Sequence, residues 1–199
     1  MKKSQASVRG ILLAALAGAA GLGAAGSGLV SADGARFAGD SLVLPAGIER
    51  WVLAGSSLGL AYDAPSAADA AGGGGRLFHN VYIEPSAYEH YRRTGRFKDG
   101  TLLALALHPA ESSAHPRKDG LYEGDRIALE IALKDGARYA GGWAYFGFGA
   151  ARPGARAAPF PPPRCRACHA ANAADDHVFV QFYPALRPIR SRHAAGRPR

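Results

Sequence analysis

The chain has 199 residues, 48% of them hydrophobic, which is the length and composition of one globular domain with extensions. Its formal net charge of +8 equals the number of basic residues at the two ends: Lys2, Lys3 and Arg9 before residue 33, and Arg187, Arg190, Arg192, Arg197 and Arg199 after residue 186. Neither end contains an acid. The middle of the chain is therefore near neutral, which argues against a nucleic-acid-binding surface, whose basic residues would sit on the fold itself.

At the N-terminus, Lys2, Lys3 and Arg9 form a positive region, residues 11–29 are an apolar Ala/Leu/Gly run, and Val30-Ser31-Ala32 are the small residues a signal peptidase reads. The pattern predicts a secretory signal over residues 1–32 and an exported domain from Asp33. An uncleaved membrane anchor is the alternative, because the run approaches the ~20 residues that span a bilayer.

Leu42-Val43-Leu44-Pro45 closes an extended piece, and residues 48–53 bring Trp51 and Val52 onto an apolar face as a short helix or turn. The Ala/Asp-rich residues before Gly72-Gly73-Gly74-Gly75 read as a surface loop. Residues 77–83 alternate as a half-buried strand. Pro85 opens a short helix that Gly95 caps, with Tyr88 and Tyr91 turned inward. Asp99-Gly100 turns into a strand over residues 101–108, in which Leu103, Leu105 and Leu107 share a face. A further strand is predicted over residues 126–134, where Ile127, Leu129, Ile131 and Leu133 form an apolar face and Glu130 stands opposite, between Ala128 and Ala132. Residues 141–148 form an aromatic strand whose glycines permit the close approach of a flat group or another backbone. Residues 150–163 read as a linker, a short helix is expected from about Ala170, residues 177–184 as a final strand, and 187–199 as a basic disordered tail. Five strands and short helices predict an α+β fold built mainly on an antiparallel sheet.

Between linker and helix stands Cys165-Arg166-Ala167-Cys168-His169. Two thiols three residues apart can each add to a haem vinyl group, and the histidine that follows can ligate the iron. Both cysteines of the chain lie here, leaving none for a structural disulfide, and a zinc site would need distant histidines. The motif predicts one mono-haem c domain over residues 33–186 with His169 as an axial ligand. The only methionine is Met1, so a His/Met electron-transfer cytochrome does not fit. The second axial position is left either to a histidine, for which His79 and His108 are the candidates, or open. His90, His115 and His193 read as solvated and His177 as a turn residue.

The order of motifs resembles the cytochrome P-460 family. It is carried by Phe78-His79-Asn80-Val81-Tyr82 with Pro85 and Tyr88, by the run from Thr94 to Thr101, by Lys134-Asp135 with Gly141-Gly142-Trp143-Ala144-Tyr145-Phe146, and by Cys165 to His169 with the run from Val178 to Pro184. The family includes the cytochromes c′-beta. The resemblance implies a periplasmic haem c protein on an antiparallel sheet, commonly a homodimer, with a five-coordinate iron; an electron-transfer protein is a further expected partner, to which the basic tail could dock. Cytochrome P-460 proper oxidises hydroxylamine and carries a lysine cross-linked to the porphyrin, five positions beyond the glycine of the Asp-Gly-Thr turn. Here that position is Leu105, which cannot form the bond. The resemblance then points to the c′-beta members, which bind nitric oxide behind an apolar distal face that Leu105, Leu103 and Leu107 would supply. Glu130 matches a family acidic position near the distal pocket, suited to relaying protons if burial raises its pKa.

Overall fold

The computed structural model describes residues 34–60, 76–112 and 119–195. The expected signal segment, the glycine-rich loop, His115 and the last four residues of the tail lie outside them.

The chain enters through β1 (Arg36–Ala38) and β2 (Ser41–Val43), then a 3-10 turn over Ile48–Arg50. The main sheet follows, with β3 (Val52–Leu58), β4 (Leu77–Ile83), helix α1 (Pro85–Thr94), β5 (Leu102–Ser112), β6 (Leu121–Glu123), β7 (Ala128–Lys134) and β8 (Trp143–Gly147). Its strands run β3-β4-β5-β7-β8, with β6 paired to the far end of β5, and every pairing is antiparallel. A short strand β9 (Arg156–Ala157) joins β1 and β2 in a second small sheet. Helix α2 (Pro162–Asn172), a 3-10 turn at Val180–Phe182 and helix α3 (Arg187–Ala195) complete the chain. The architecture is the mainly antiparallel α+β fold that the strand pattern predicts.

Helix α1 forms as its punctuation dictates. Pro85 stands in the first turn, where no N–H is needed, and the Glu84 carboxylate accepts hydrogen bonds from the Ser86 and Ala87 amides at 3.0 and 2.9 Å. Gly95 ends it in the left-handed conformation at φ 65°. Tyr91 is fully buried and Tyr88 half-buried.

Register partners share a face of an antiparallel sheet, so the pairing sorts the core into two. Leu102, Ala104, Ala106, Leu129, Ile131, Leu133 and Phe146 line one face, sealed by Phe37, Leu42 and Ile48 from the N-terminal elements. Val81, Leu103, Ala132 and Tyr145 belong to the other, with Tyr91 of α1, and Val178, Val180, Leu186 and Ile189 of the C-terminal segment. The first face is a closed core; the second is covered only by helices and an irregular segment, which leaves room for a cavity.

Four expectations are corrected. Residues 177–184 are not a strand: positive φ at Asp176 and His177 breaks the extended path, and the alternation there reflects Val178 and Val180 dipping into the core, with only an isolated bridge from Val178 to Asp175 and no partner strand among the described residues. Helix α2 starts at Pro162, not near Ala170, because prolines are tolerated in a first helical turn. The segment Val52–Leu58, whose Gly and Ser hide its strand character, forms the edge strand β3. Residues 187–195 are helical rather than disordered, since Ile189 is 3% exposed in the core beside α1 and Pro188 again falls in a first turn. The glycine that permits close approach is Gly147, where a Cβ would collide with the Phe160 ring.

The docking of α3 predicts that Ile189→Ala costs about 2 kcal/mol or more of stability, while Arg190→Ala on its exposed side stays within about 0.5 kcal/mol. Urea unfolding of the two variants beside the parent checks this; equal effects would mean that α3 is not part of the cooperative fold.

Candidate functional site

A cavity of about 700 Å³ lies between the open face of the sheet and the wall made by α2 and residues 177–183. The size falls within the roughly 300–1,000 Å³ of cofactor sites. The sheet supplies Val81, Leu103, Leu105, Glu130 and Ala132; the opposite wall supplies Cys168, His169, Phe179 and Phe182. Leu105 and Glu130 are register partners on β5 and β7. Leu103 and Leu107 are buried, whereas Leu105 keeps partial exposure, as a side chain facing a cavity must.

The stretch from Cys165 to His169 lies on α2, not in a loop. Positions three and four apart on a helix are neighbours, so Cys165, Cys168 and His169 share one side. Cys165 packs against the core of the open face and Cys168 lines the cavity. Both thiols are free. Burial and then the nearby Glu130 charge push the Cys165 thiol up to about 11.

His169 is the most constrained side chain here. Its ring lies 4.5 Å from that of Tyr145 and 4.6 Å from that of Phe179, centroid to centroid. Its Nδ1 is 2.7 Å from the His177 carbonyl oxygen. A carbonyl only accepts, so Nδ1 carries the proton and Nε2 presents its lone pair. Burial lowers the pKa of His169, outweighing the opposing carbonyl bond, so the ring is neutral at neutral pH.

The carbonyl that fixes this tautomer belongs to a turn with consecutive left-handed residues, Asp176 at φ 39° and His177 at φ 61°, each costing of order 1–3 kcal/mol. Behind the turn, Gln181 accepts from the Ala174 amide at 3.0 Å and donates to the Asn172 carbonyl at 2.9 Å, tying the end of α2 to the segment that follows. Gly55 permits that segment to cross β3, since a Cβ there would crowd the Tyr183 backbone. Tyr145, Phe179 and Gln181 lie in the runs that carry the family resemblance, but nothing in the sequence singles them out as neighbours of His169 or of the turn that holds it.

A family model described as Cytochrome P460 matches residues 45–180. The chain belongs to the cytochrome P460 family. A search of curated proteins finds no match. The family implies a haem cofactor and a relation to hydroxylamine oxidation, and the residues present fit a haem. Two free thiols and an imidazole with its metal-facing nitrogen unprotonated meet on one side of a helix beside a cavity of cofactor size. Cys165 and Cys168 would hold the haem, and His169 its iron. A haem in this family site supplies an iron able to take a small ligand and exchange electrons with it.

Of the two candidate second ligands, His79 lines the cavity, whereas His108 faces the closed side and its Nδ1 lies 2.8 Å from the Gly124 carbonyl. His177 lines the cavity from beside His169, its carbonyl being the oxygen that His169 holds.

Glu130 titrates above the ordinary carboxylate range because burial disfavours its charge, an effect the Arg164 guanidinium opposes more weakly. An acid that holds its proton more tightly folded than unfolded lowers stability once pH rises past its unfolded pKa. Glu130→Gln should therefore gain stability relative to the parent as pH is raised from about 4 to about 7. Chemical unfolding across that range checks it; a gap that shrinks with pH would show that the carboxylate is stabilised in place.

Proposed function

We propose that the protein is an exported, periplasmic haem c protein that binds small nitrogen ligands, nitric oxide or hydroxylamine, at an open iron position, with redox turnover within its reach. The observation that carries this reading is the pairing of Leu105 with Glu130 on the cavity wall across from α2. In this reading Cys165 and Cys168 hold one haem through thioether links and His169 ligates the iron through Nε2. Leu105 gives the other side an apolar surface that excludes water. Glu130, protonated more readily than an exposed carboxylate, stands on β7, the strand next to the edge strand β8, to pass a proton to or from a ligand. The reading carries with it a homodimer, expected from the family resemblance, and an electron-transfer partner.

Hydroxylamine oxidation as in cytochrome P-460 proper is the second reading, favoured by the cavity-lining carboxylate and opposed by Leu105 at the cross-linking position. Bis-histidine electron transfer is a third, kept open by His79 on the cavity wall.

Stopped-flow mixing of the ferrous protein with nitric oxide tests the ligand-binding reading. Leu105→Phe should slow association about tenfold, the equivalent of roughly 1.4 kcal/mol of added steric cost; an unchanged rate would move the ligand away from this face. Steady-state assay with hydroxylamine and an artificial acceptor separates the second reading. Turnover above that of free haem, falling about a hundredfold in Glu130→Gln, would establish the oxidase; none would leave ligand binding.

A further inference from the structure

The turn between α2 and the C-terminal segment is held from outside by donors of the main sheet. Lys134 and Trp143 are register partners at the end of the β7–β8 pair. Their side chains converge on one carboxylate: Lys134 Nζ donates to Asp176 Oδ2 at 2.5 Å and Trp143 Nε1 donates to Asp176 Oδ1 at 3.1 Å. Neither donor is free to wander. Lys134 also donates to the Phe97 carbonyl at 2.9 Å, and Trp143 is buried with its ring edge-on to Phe97, which in turn stacks on Tyr91 at 4.2 Å. Tyr91 closes the bracket, its hydroxyl donating to Asp175 Oδ2 at 2.7 Å.

The carboxylate so gripped belongs to a side chain that is 35% exposed, where an aspartate has no packing role of its own. Its φ is positive, as is that of the next residue, and it is the carbonyl of that next residue, His177, that accepts the His169 Nδ1 proton. One peptide unit therefore separates the gripped carboxylate from the acceptor that orients the proximal imidazole.

We propose that Asp176 is a positioning residue: bracketed by Lys134 and Trp143, it fixes the left-handed turn that aims the His177 carbonyl at His169, and so sets the electron-donating strength of the imidazole and the reduction potential of the iron it would hold. A short, well-aimed Nδ1–H···O bond makes the imidazole a stronger donor and favours the oxidised metal; a loosened one does the reverse. The sheet, through two side chains that do not line the cavity, would thus bias the redox poise of the iron held there. This proposal rests on the haem reading above.

The test uses the haem-bearing protein and five variants: Asp176→Ala, which removes both bonds; Trp143→Phe and Lys134→Met, which each remove one; Lys134→Arg, which keeps a cationic donor; and Glu89→Ala, which removes an exposed carboxylate paired with Arg92 on α1. Mass spectrometry first reads whether haem is attached to the parent. Spectroelectrochemical titration then gives the reduction potential, and resonance Raman of the ferrous form the iron–histidine stretch. Asp176→Ala should raise the potential and lower the stretching frequency. Trp143→Phe and Lys134→Met should move both in the same direction by less, Lys134→Arg should restore them, and Glu89→Ala should move neither. If Asp176→Ala fails to mature, the two single-bond variants carry the test. Variants that unfold earlier yet keep the parent's potential and frequency would reduce the bracket to a structural brace and overturn the proposal. A parent without haem would overturn the haem reading and this proposal together, so the two failures are distinguishable.

Discussion

The 2.7 Å bond from His169 Nδ1 to the His177 carbonyl is the constraint on which the site depends, because it decides which nitrogen of the ring is left to bind a metal. Without an acceptor at that spot the imidazole could exist in either tautomer and turn about its bonds; with it, Nε2 is committed to the cavity. The acceptor exists only because two consecutive residues adopt the left-handed conformation, and they do so because an aspartate in the turn is gripped by a lysine and a tryptophan from the sheet. Local strain in the turn is offset by bonds made elsewhere. The site is thus a product of the whole fold, not of the attachment motif alone.

The division of the sheet into two unlike faces does the rest. One face carries Leu129, Ile131 and Leu133 against the N-terminal elements with no space left over. The other carries Val81, Leu105 and Glu130 against a helix and an irregular segment that cannot interdigitate as closely, and the space that remains is the cavity. Small residues line it on the sheet side: Ala132 on β7, and Gly55 where the C-terminal segment crosses β3. Among the β7 residues that line this space the only polar one is Glu130, whose burial raises its pKa.

Much of this was legible in the residues because the signals were local. Alternation located β4, β5, β7 and β8, and Pro85 with Gly95 bounded α1. The spacing of Cys165, Cys168 and His169 pointed to the site, and the family resemblance assigned Leu105 and Glu130 to it separately; that the two are partners on neighbouring strands comes from the register alone. What was not legible depended on distant partners. Val178 and Val180 alternate like a strand but are drawn inward by the core, without a neighbouring strand to pair with. Arg187–Ala195 looks like a solvated basic tail until Ile189 is seen to dock. The role of Asp176 could not be read at all, since its donors lie 33 and 42 residues away. Long-range hydrogen bonds leave no periodicity in the sequence.

The central claim is that His169 serves one side of the iron and that the sheet offers no protein ligand on the other. Magnetic circular dichroism of the ferrous protein, before any ligand is added, tests it most directly. The account predicts the signature of a high-spin, five-coordinate haem; a low-spin, six-coordinate spectrum would contradict it and return His79 on the cavity wall as the second ligand.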